Sequence, residues 1–168
     1  MKVKPNLHFV FDGFGDDWMY RSVWRDDKLI DYGKTPSNVP IMEVGSPSLG
    51  FIMTRMGAAL QLGGHYLDQA GKIMALKAFG KHNADVNKEG IDIDSLDKMW
   101  DFMVIDQHLN DQQYIMDYIH TAHEYTEEIY LKHFQKFIEP DDIVGYSGGV
   151  AQNTIINKVL KDAIPNLV

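Results

Sequence analysis

The sequence predicts an α/β domain: a three-stranded antiparallel meander, then helices, then a further strand followed by a last helix. Three patterns lead to this prediction. Apolar and polar side chains alternate over residues 7–11, as in a half-buried strand. Apolar side chains recur at every third or fourth position over residues 110–138, as in a long amphipathic helix. Residues 141–157 change from an apolar strand to a helix at paired glycines.

The meander is predicted from three short strands that follow one another closely. Leu7, Phe9 and Phe11 share one face of the first strand, which ends at a turn with two glycines over residues 12–17. The second strand covers residues 18–24. The polar turn at residues 26–28 leads directly into a third strand that contains Leu29, Ile30 and Tyr32. Strands joined this tightly are expected to pair antiparallel.

Helical segments occupy the middle of the chain. Residues 33–47 contain prolines and are predicted to form a loop, after which Ser48 is placed to cap a helix that includes Leu60. A second helical piece is expected over residues 68–79. Residues 81–110 are interpreted as a helical and loop excursion with a short helix near residues 96–103. The longest helix is predicted to begin near Asn110 and to end before Pro140, with these apolar positions: Ile115, Ile119, Ala122, Thr126 and Ile129.

The segment DDIVGYSGGVAQNTIIN, residues 141–157, carries the first functional signal. Gly148 and Gly149 separate the strand from a helix predicted to start near Val150. Glycines allow a ligand to approach the main chain, and a helix N-terminus offers free N–H groups to an anion or a nucleotide. The same junction also suits a tight packing turn, so both interpretations are open. The turn that begins at Asp12 and Gly13 favours the ligand-binding interpretation, because it also ends a strand and carries a carboxylate.

Composition excludes several classes of protein. The chain has 168 residues, a size typical of one domain with a substantial core. A net charge of −8 argues against a general nucleic-acid binder, and the absence of cysteine excludes disulfides and thiolate metal sites. We find no apolar run long enough to span a membrane and no features of a secretory signal. These observations predict a cytoplasmic protein without a nucleic-acid or membrane partner.

Four further segments follow in order along the chain: FVFDGFGDD at residues 9–17, SPSLGF at 46–51, GKIMALKAFG at 71–80 and SGGVAQN at 147–153. Together they resemble the O-carbamoyltransferases that modify nodulation factors and antibiotics. The resemblance implies an actin-like ATPase (RNase H-like) fold, of which this chain would be one lobe. It also implies an enzyme that binds ATP or carbamoyladenylate with a divalent metal, iron being suspected. Such an enzyme transfers a carbamoyl group to the hydroxyl of a small-molecule acceptor.

Candidate site residues follow from this resemblance by position. Asp12 matches a metal-binding aspartate, and a carboxylate at a strand end suits a hard cation. Seven residues match nucleotide-contacting positions: Gly13, Gly71, Lys72, Ser147, Gly148, Gly149 and Asn153. No catalytic residue is identified. Asp12 is equally typical of an aspartate that caps its own turn, and Lys72 of a solvated helix lysine.

The resemblance further implies that residues 1–168 form a single partial domain. The family places a lobe with a paired-histidine metal motif upstream and a metal-binding aspartate downstream, and it makes the adenylate in a separate domain. The missing lobe and that domain would therefore be partners, self-association through exposed apolar surface is possible, and the chain alone should be inactive. A non-catalytic module of this fold and a homologue of the enzyme that transfers threonylcarbamoyl to tRNA are the alternatives.

One further histidine cluster invites a metal interpretation. His120 and His123 lie near Glu124 and Glu127 at helical spacing, and histidines at i and i+3 can share a metal. The sequence offers no fourth ligand and lacks the second histidine of a zinc protease motif. A solvated helix face is the favoured interpretation.

Overall fold

The computed structural model describes residues 4–13, 16–35, 47–65, 68–82 and 85–168. Within these ranges one four-stranded sheet has the order β3-β2-β1-β4. Its strands are β1 (Leu7–Phe11), β2 (Met19–Arg25), β3 (Lys28–Lys34) and β4 (Val144–Ser147). The first three pair antiparallel, and β4 pairs parallel with β1. The predicted meander with a further strand beside it is confirmed. Phe14, Gly15 and residues 36–46 of the predicted loop lie outside the described residues.

The helices are α1 (Leu49–Ala59), α2 (Gln69–Leu76), α3 (Phe102–Gln107), α4 (Gln112–Gln135) and α5 (Thr154–Ala163). Two predicted starts were wrong by a few residues. The N-cap of α4 is Asp111 and not Asn110, since the Asp111 carboxylate accepts the N–H of Tyr114. Residues Gly149–Gln152 form a short 3-10 turn, so α5 begins at Thr154 and not near Val150.

The core lies between the sheet and α4. Phe9 is fully buried and stacks on Phe134 with ring centroids 3.9 Å apart, while Phe11 packs on Tyr130. The prediction that this strand face packs against the long helix is confirmed, but the contact lies in the C-terminal half of α4. A helix of this length spans roughly 36 Å and a five-residue strand about 17 Å, so the strand meets only part of it. Ile129, expected to face the strand, is half-buried.

The N-terminal and middle parts of α4 pack against the excursion that precedes it. The hydroxyl of Tyr118 donates to the carbonyl of Met99, and the indole N–H of Trp100 donates to the hydroxyl of Thr126. Both aromatic side chains are buried. The described part of the excursion is thus part of the domain core, because buried Trp100 finds its hydrogen-bond partner on α4.

A buried arginine also fixes the excursion to the sheet. Arg21 on β2 is 5% exposed, and its guanidinium donates to the carboxylates of Asp94 and Asp31. The hydroxyl of Tyr20 donates to Asp94 as well, at 2.8 Å. Burial raises the pKa of Asp94, but the donors from Arg21 and Tyr20 outweigh it and the net pKa is lowered. This ion pair network therefore joins two regions that are distant in sequence.

Within the described ranges, every helix is too short or too polar to reach across a bilayer.

Candidate functional site

The carboxyl ends of β1 and β4 lie side by side. In their parallel pairing Val10 lies opposite Ser147, so Asp12 and Gly148 follow the two strands at the same edge of the sheet. Ligands in open α/β sheets commonly bind outside the carboxyl ends of parallel strands. The fold therefore brings together the two glycine-bearing turns that the sequence singled out.

Gly148 is at a position where the backbone itself requires glycine. Its φ is +94°, and a Cβ there would lie 2.1 Å from the carbonyl oxygen of Phe11. Any side chain would collide with the main chain of β1, and a positive φ adds strain for an L-residue. For Gly148, the packing-turn interpretation is sufficient.

Gly149 differs, because it is exposed and its neighbour is a carboxylate. A Cβ on Gly149 would lie 3.2 Å from Oδ1 of Asp12. That same oxygen accepts the N–H of Gly13 at 2.7 Å, and the main-chain oxygen of Asp12 accepts the hydroxyl of Ser48 at 2.9 Å. Asp12 thus stabilises its own turn, as the alternative interpretation expected, and its carboxylate also borders the open side of Gly149.

The metal expected at Asp12 finds few ligands nearby. Across the described ranges, no three histidine, aspartate or glutamate side chains are arranged to hold a metal ion. One carboxylate is too few for a divalent cation, which takes several oxygen or nitrogen ligands. The described residues therefore do not form an iron site by themselves.

Ser147 is held by a histidine on the neighbouring strand. Its hydroxyl is hydrogen-bonded to Nε2 of His8 at 2.8 Å, and burial lowers the pKa of His8. His8 alternates with Phe9, so this pair lies on the sheet face opposite α4. The histidine fixes the rotamer of Ser147 at the strand end.

Asn153 has a structural role that the sequence did not suggest. It is the N-cap of α5, and its amide oxygen accepts the N–H groups of Ile155 and Ile156 at 3.0 and 3.1 Å. The side chain is 5% exposed. The sequence predicted that this helix starts earlier, near Val150, so the capping role was not expected. The nucleotide contact of Asn153 stays a prediction.

Lys72 lies away from these turns, contrary to its expected place beside them. Its ammonium group donates to the main-chain oxygens of Leu62 (3.0 Å) and Gly63, just past the C-terminal end of α1. Ser48, which contacts Asp12, precedes the opposite end of α1. The 11 residues of α1 separate the two ends by about 16 Å. Lys72 instead holds the turn that follows α1.

The helix that carries Lys72 lines a cavity together with the helix that follows the glycine turn. An open cavity of about 690 Å³ lies between α2, α4 and α5. Its apolar wall consists of Met74, Ala75, Ala78, Ile155 and Val159, and its polar groups belong to Lys77, His120, Glu127, Thr154 and Lys158. Gly71 has open space around it on exposed α2 and is not among the lining residues.

The histidine cluster on α4 divides between two environments. His120 and His82 both contact the carboxylate of Glu124, with His82 Nδ1 at 2.9 Å and His120 Nε2 at 3.4 Å. His123, expected on a solvated face, is instead fully buried with its ring 5.1 Å from that of Trp100. Burial lowers the pKa of His123 to about 3. That part of the expectation was wrong because α4 is covered on more than one side.

Comparisons with known proteins bear on the fold. No protein-family model matches the chain, and no curated protein does either. Among solved structures, it is similar to the activator of the 2-hydroxyisocaproyl-CoA dehydratase from Clostridium difficile, determined with bound ADPNP. The match has a TM-score of 0.55 at 12% sequence identity and covers 99% of this chain. The chain has an actin-like ATPase fold.

The chain spans only part of the length of that structure. The chain covers 54% of the activator, about half its length. At this low identity the likeness concerns the fold. It agrees with the fold class implied by the four segments and leaves the resemblance to carbamoyltransferases a hypothesis.

Proposed function

We propose that this chain is a nucleotide-binding portion of an actin-like ATPase-fold enzyme. The observation that carries the proposal is the contact between the turns after β1 and β4, where Oδ1 of Asp12 borders exposed Gly149. A turn without a side chain lets phosphate oxygens reach the main chain, and the adjacent carboxylate suits the divalent cation that accompanies them. The dehydratase activator of the same fold was determined with bound ADPNP, which supports the choice of nucleotide.

The nucleoside is proposed to occupy the cavity between α2, α4 and α5. Thr154 and Ile155 line it and directly follow Asn153, so the cavity adjoins the glycine turn along the chain. Its apolar wall suits the faces of a planar base, which ligand sites commonly hold between apolar side chains. Of the segments that resemble the carbamoyltransferases, residues 71–80 supply part of the cavity wall, and residues 147–153 end directly before it.

The finer proposal is carbamoyl transfer. By resemblance, the complete protein would move a carbamoyl group from carbamoyladenylate to the hydroxyl of a small-molecule acceptor. The second lobe, the adenylate-forming domain and the remaining metal ligands would come from outside these residues. Iron, if bound, would have only Asp12 as a ligand among the described residues, so we derive no step through the metal. Ser147, Gly148 and Gly149 would hold the nucleotide, and catalysis by the chain alone is not expected.

A non-catalytic nucleotide-binding module is the second candidate, and two observations favour it. Lys72 is committed to the end of α1 and does not reach the glycine turn. Ala70 and Ala75 stand where the carbamoyltransferase segment has glutamate and glycine. The coding sequence on either side distinguishes the two: an in-frame histidine pair upstream and an aspartate loop downstream would favour the enzyme.

Titration with ATP and magnesium, followed by backbone amide NMR, tests nucleotide binding directly. We expect shifts at residues 12–13, 147–150 and 154–155, and a dissociation constant near millimolar, about −4 kcal/mol, because the described residues offer the phosphates one glycine turn and one carboxylate. Inorganic tripolyphosphate should shift the first two groups alone. Shifts confined to other regions, or no shifts at all at ten millimolar ligand, would contradict the proposal.

A further inference from the structure

An ion pair lines the wall of the cavity and takes no part in the proposed phosphate site. Lys77 follows α2, Glu127 lies on α4, and the ammonium group of Lys77 contacts Oε1 of Glu127. Both line the cavity, with side chains 19% and 15% exposed. A half-buried pair that faces an open cavity differs from an ordinary surface salt bridge, because its remaining donors and acceptors are only partly hydrated.

The pair is held rigidly in place. The main-chain oxygen of Lys77 contacts Nδ1 of His120 at 2.8 Å, which fixes the residue against α4. Glu127 lies one helical turn after His123, in the middle of a 24-residue helix. A donor and an acceptor are therefore fixed side by side, next to an apolar wall formed by Met74, Ile155 and Val159.

We propose that Lys77 and Glu127 recognise the hydrogen-bonding edge of a nucleobase. Lysine is a donor only and ionised glutamate an acceptor only, so the pair complements a ring edge on which a donor adjoins an acceptor. Adenine has such an edge in its amino group and N1, and guanine has one in N1–H and O6. The assignment rests on the proposed function, and it adds the residues that contact the edge of the base.

The environment of Glu127 is consistent with this role. Burial raises the pKa of Glu127, and the hydrogen bond from Lys77 opposes that rise. A ligand amino group that donates to the carboxylate would add a second favourable contact in a site of reduced hydration. Hydrogen bonds to charged groups are stronger than neutral ones under these conditions.

Adenosine and purine riboside, which lacks the amino group of adenosine, provide the test. NMR titration of the whole chain gives both affinities, and we expect adenosine to bind about tenfold more tightly. In the double variant Lys77→Met/Glu127→Met this ratio should fall to near one. The double variant removes both charges together and so leaves neither half of the pair unpaired. Lys88→Met/Glu128→Met is the matched control, since this ion pair also reaches α4 but neither residue lines the cavity.

The outcomes separate this inference from the proposed function. A merely structural pair would lower the melting temperature of the double variant and leave the ratio of affinities unchanged, which would overturn the inference. Adenosine that binds with no shifts at residues 74–78 and 155 would overturn it too. Tripolyphosphate that still shifts residues 12–13 and 147–150 would leave the phosphate site intact in either case. If neither adenosine nor tripolyphosphate binds, the inference fails together with the proposed function.

Discussion

Asp12 and Gly149 are adjacent across two strands: Oδ1 of Asp12 lies 3.2 Å from the position that a Cβ on Gly149 would occupy. The parallel pairing of β1 with β4 produces this contact, because it places the turns after both strands at one edge of the sheet. A carboxylate beside an open stretch of main chain repels a phosphate unless a cation lies between them. The contact therefore predicts how magnesium affects nucleotide binding.

Asp12→Asn is expected to weaken the binding of ATP in the presence of magnesium and to strengthen it when magnesium is removed with a chelator. Each effect should be several-fold, about 1 kcal/mol, because a unit charge a few ångströms away in a partly hydrated site has roughly that influence. Calorimetric titration under both conditions provides the measurement. Asp27→Asn is the control, as Asp27 is 81% exposed and paired with Lys4 in the turn between β2 and β3. Equal changes with and without magnesium would show that Asp12 does not border the phosphates.

Gly148→Ala should destabilise the fold irrespective of any ligand. The added Cβ would meet the main chain of Phe11, and the positive φ costs about 1–3 kcal/mol. Gly71→Ala should instead stabilise by about 0.5–1 kcal/mol, since that helical glycine has open space around it. Chemical denaturation of both variants measures the free energy of unfolding. A neutral Gly148→Ala would mean that the turn after β4 is looser than described.

The contrast between Gly148 and Lys72 shows what sequence could predict here. The glycine pair and the alternation at Phe9 and Phe11 reflect local backbone and burial requirements, and the structure agrees with both. The location of Lys72 depends on where the end of α1 lies, which is set by the packing of α1 against α2. Nothing within residues 71–80 indicates that the Lys72 side chain lies at the end of α1. The cavity beside Lys77 was missed for the same reason, since its walls come from three helices distant in sequence.

Phe9→Ala should lower the free energy of unfolding by about 3–5 kcal/mol, because the ring is fully buried and stacked on Phe134. Phe79→Ala serves as the control. Its ring is 66% exposed, so the change should be within about 0.5 kcal/mol. Thermal or denaturant unfolding distinguishes the two. Similar losses in both variants would indicate that the sheet is not packed on α4 through this face.

Stability should fall as the pH is lowered from about 6.5 to 4, because of buried histidine. Burial lowers the pKa of His133 to about 4, with a smaller contribution from Arg21, while the unfolded chain has the ordinary value of 6.5. The unfolded state therefore binds a proton in this window that the folded state does not, and protonation favours unfolding. The loss attributable to His133 is on the order of 1–3 kcal/mol.

His133→Phe should make stability less dependent on pH. The histidine ring lies among three aromatic rings, those of Phe9, Phe11 and Phe137. Its Nε2 has no hydrogen-bond partner among the described residues, so a phenylalanine ring loses no hydrogen bond there. Denaturant unfolding at a series of pH values from 7 to 4 measures the slope. A variant slope identical to that of the unmodified protein would place the pH sensitivity elsewhere.

Asn153 distinguishes capping from nucleotide contact. Its amide oxygen accepts two N–H groups in the first turn of α5, so Asn153→Ala should cost about 1–2 kcal/mol of stability. Asn153→Asp preserves an acceptor at the N-cap and should cost much less, with the added negative charge favoured at a helix N-terminus. The two variants should also differ in binding if the side chain touches a nucleotide, because a carboxylate there would repel phosphate. ATP affinity measured on Asn153→Asp decides the point: an affinity equal to that of the unmodified protein would assign Asn153 to the helix alone, and a loss of tenfold or more would restore it to the site.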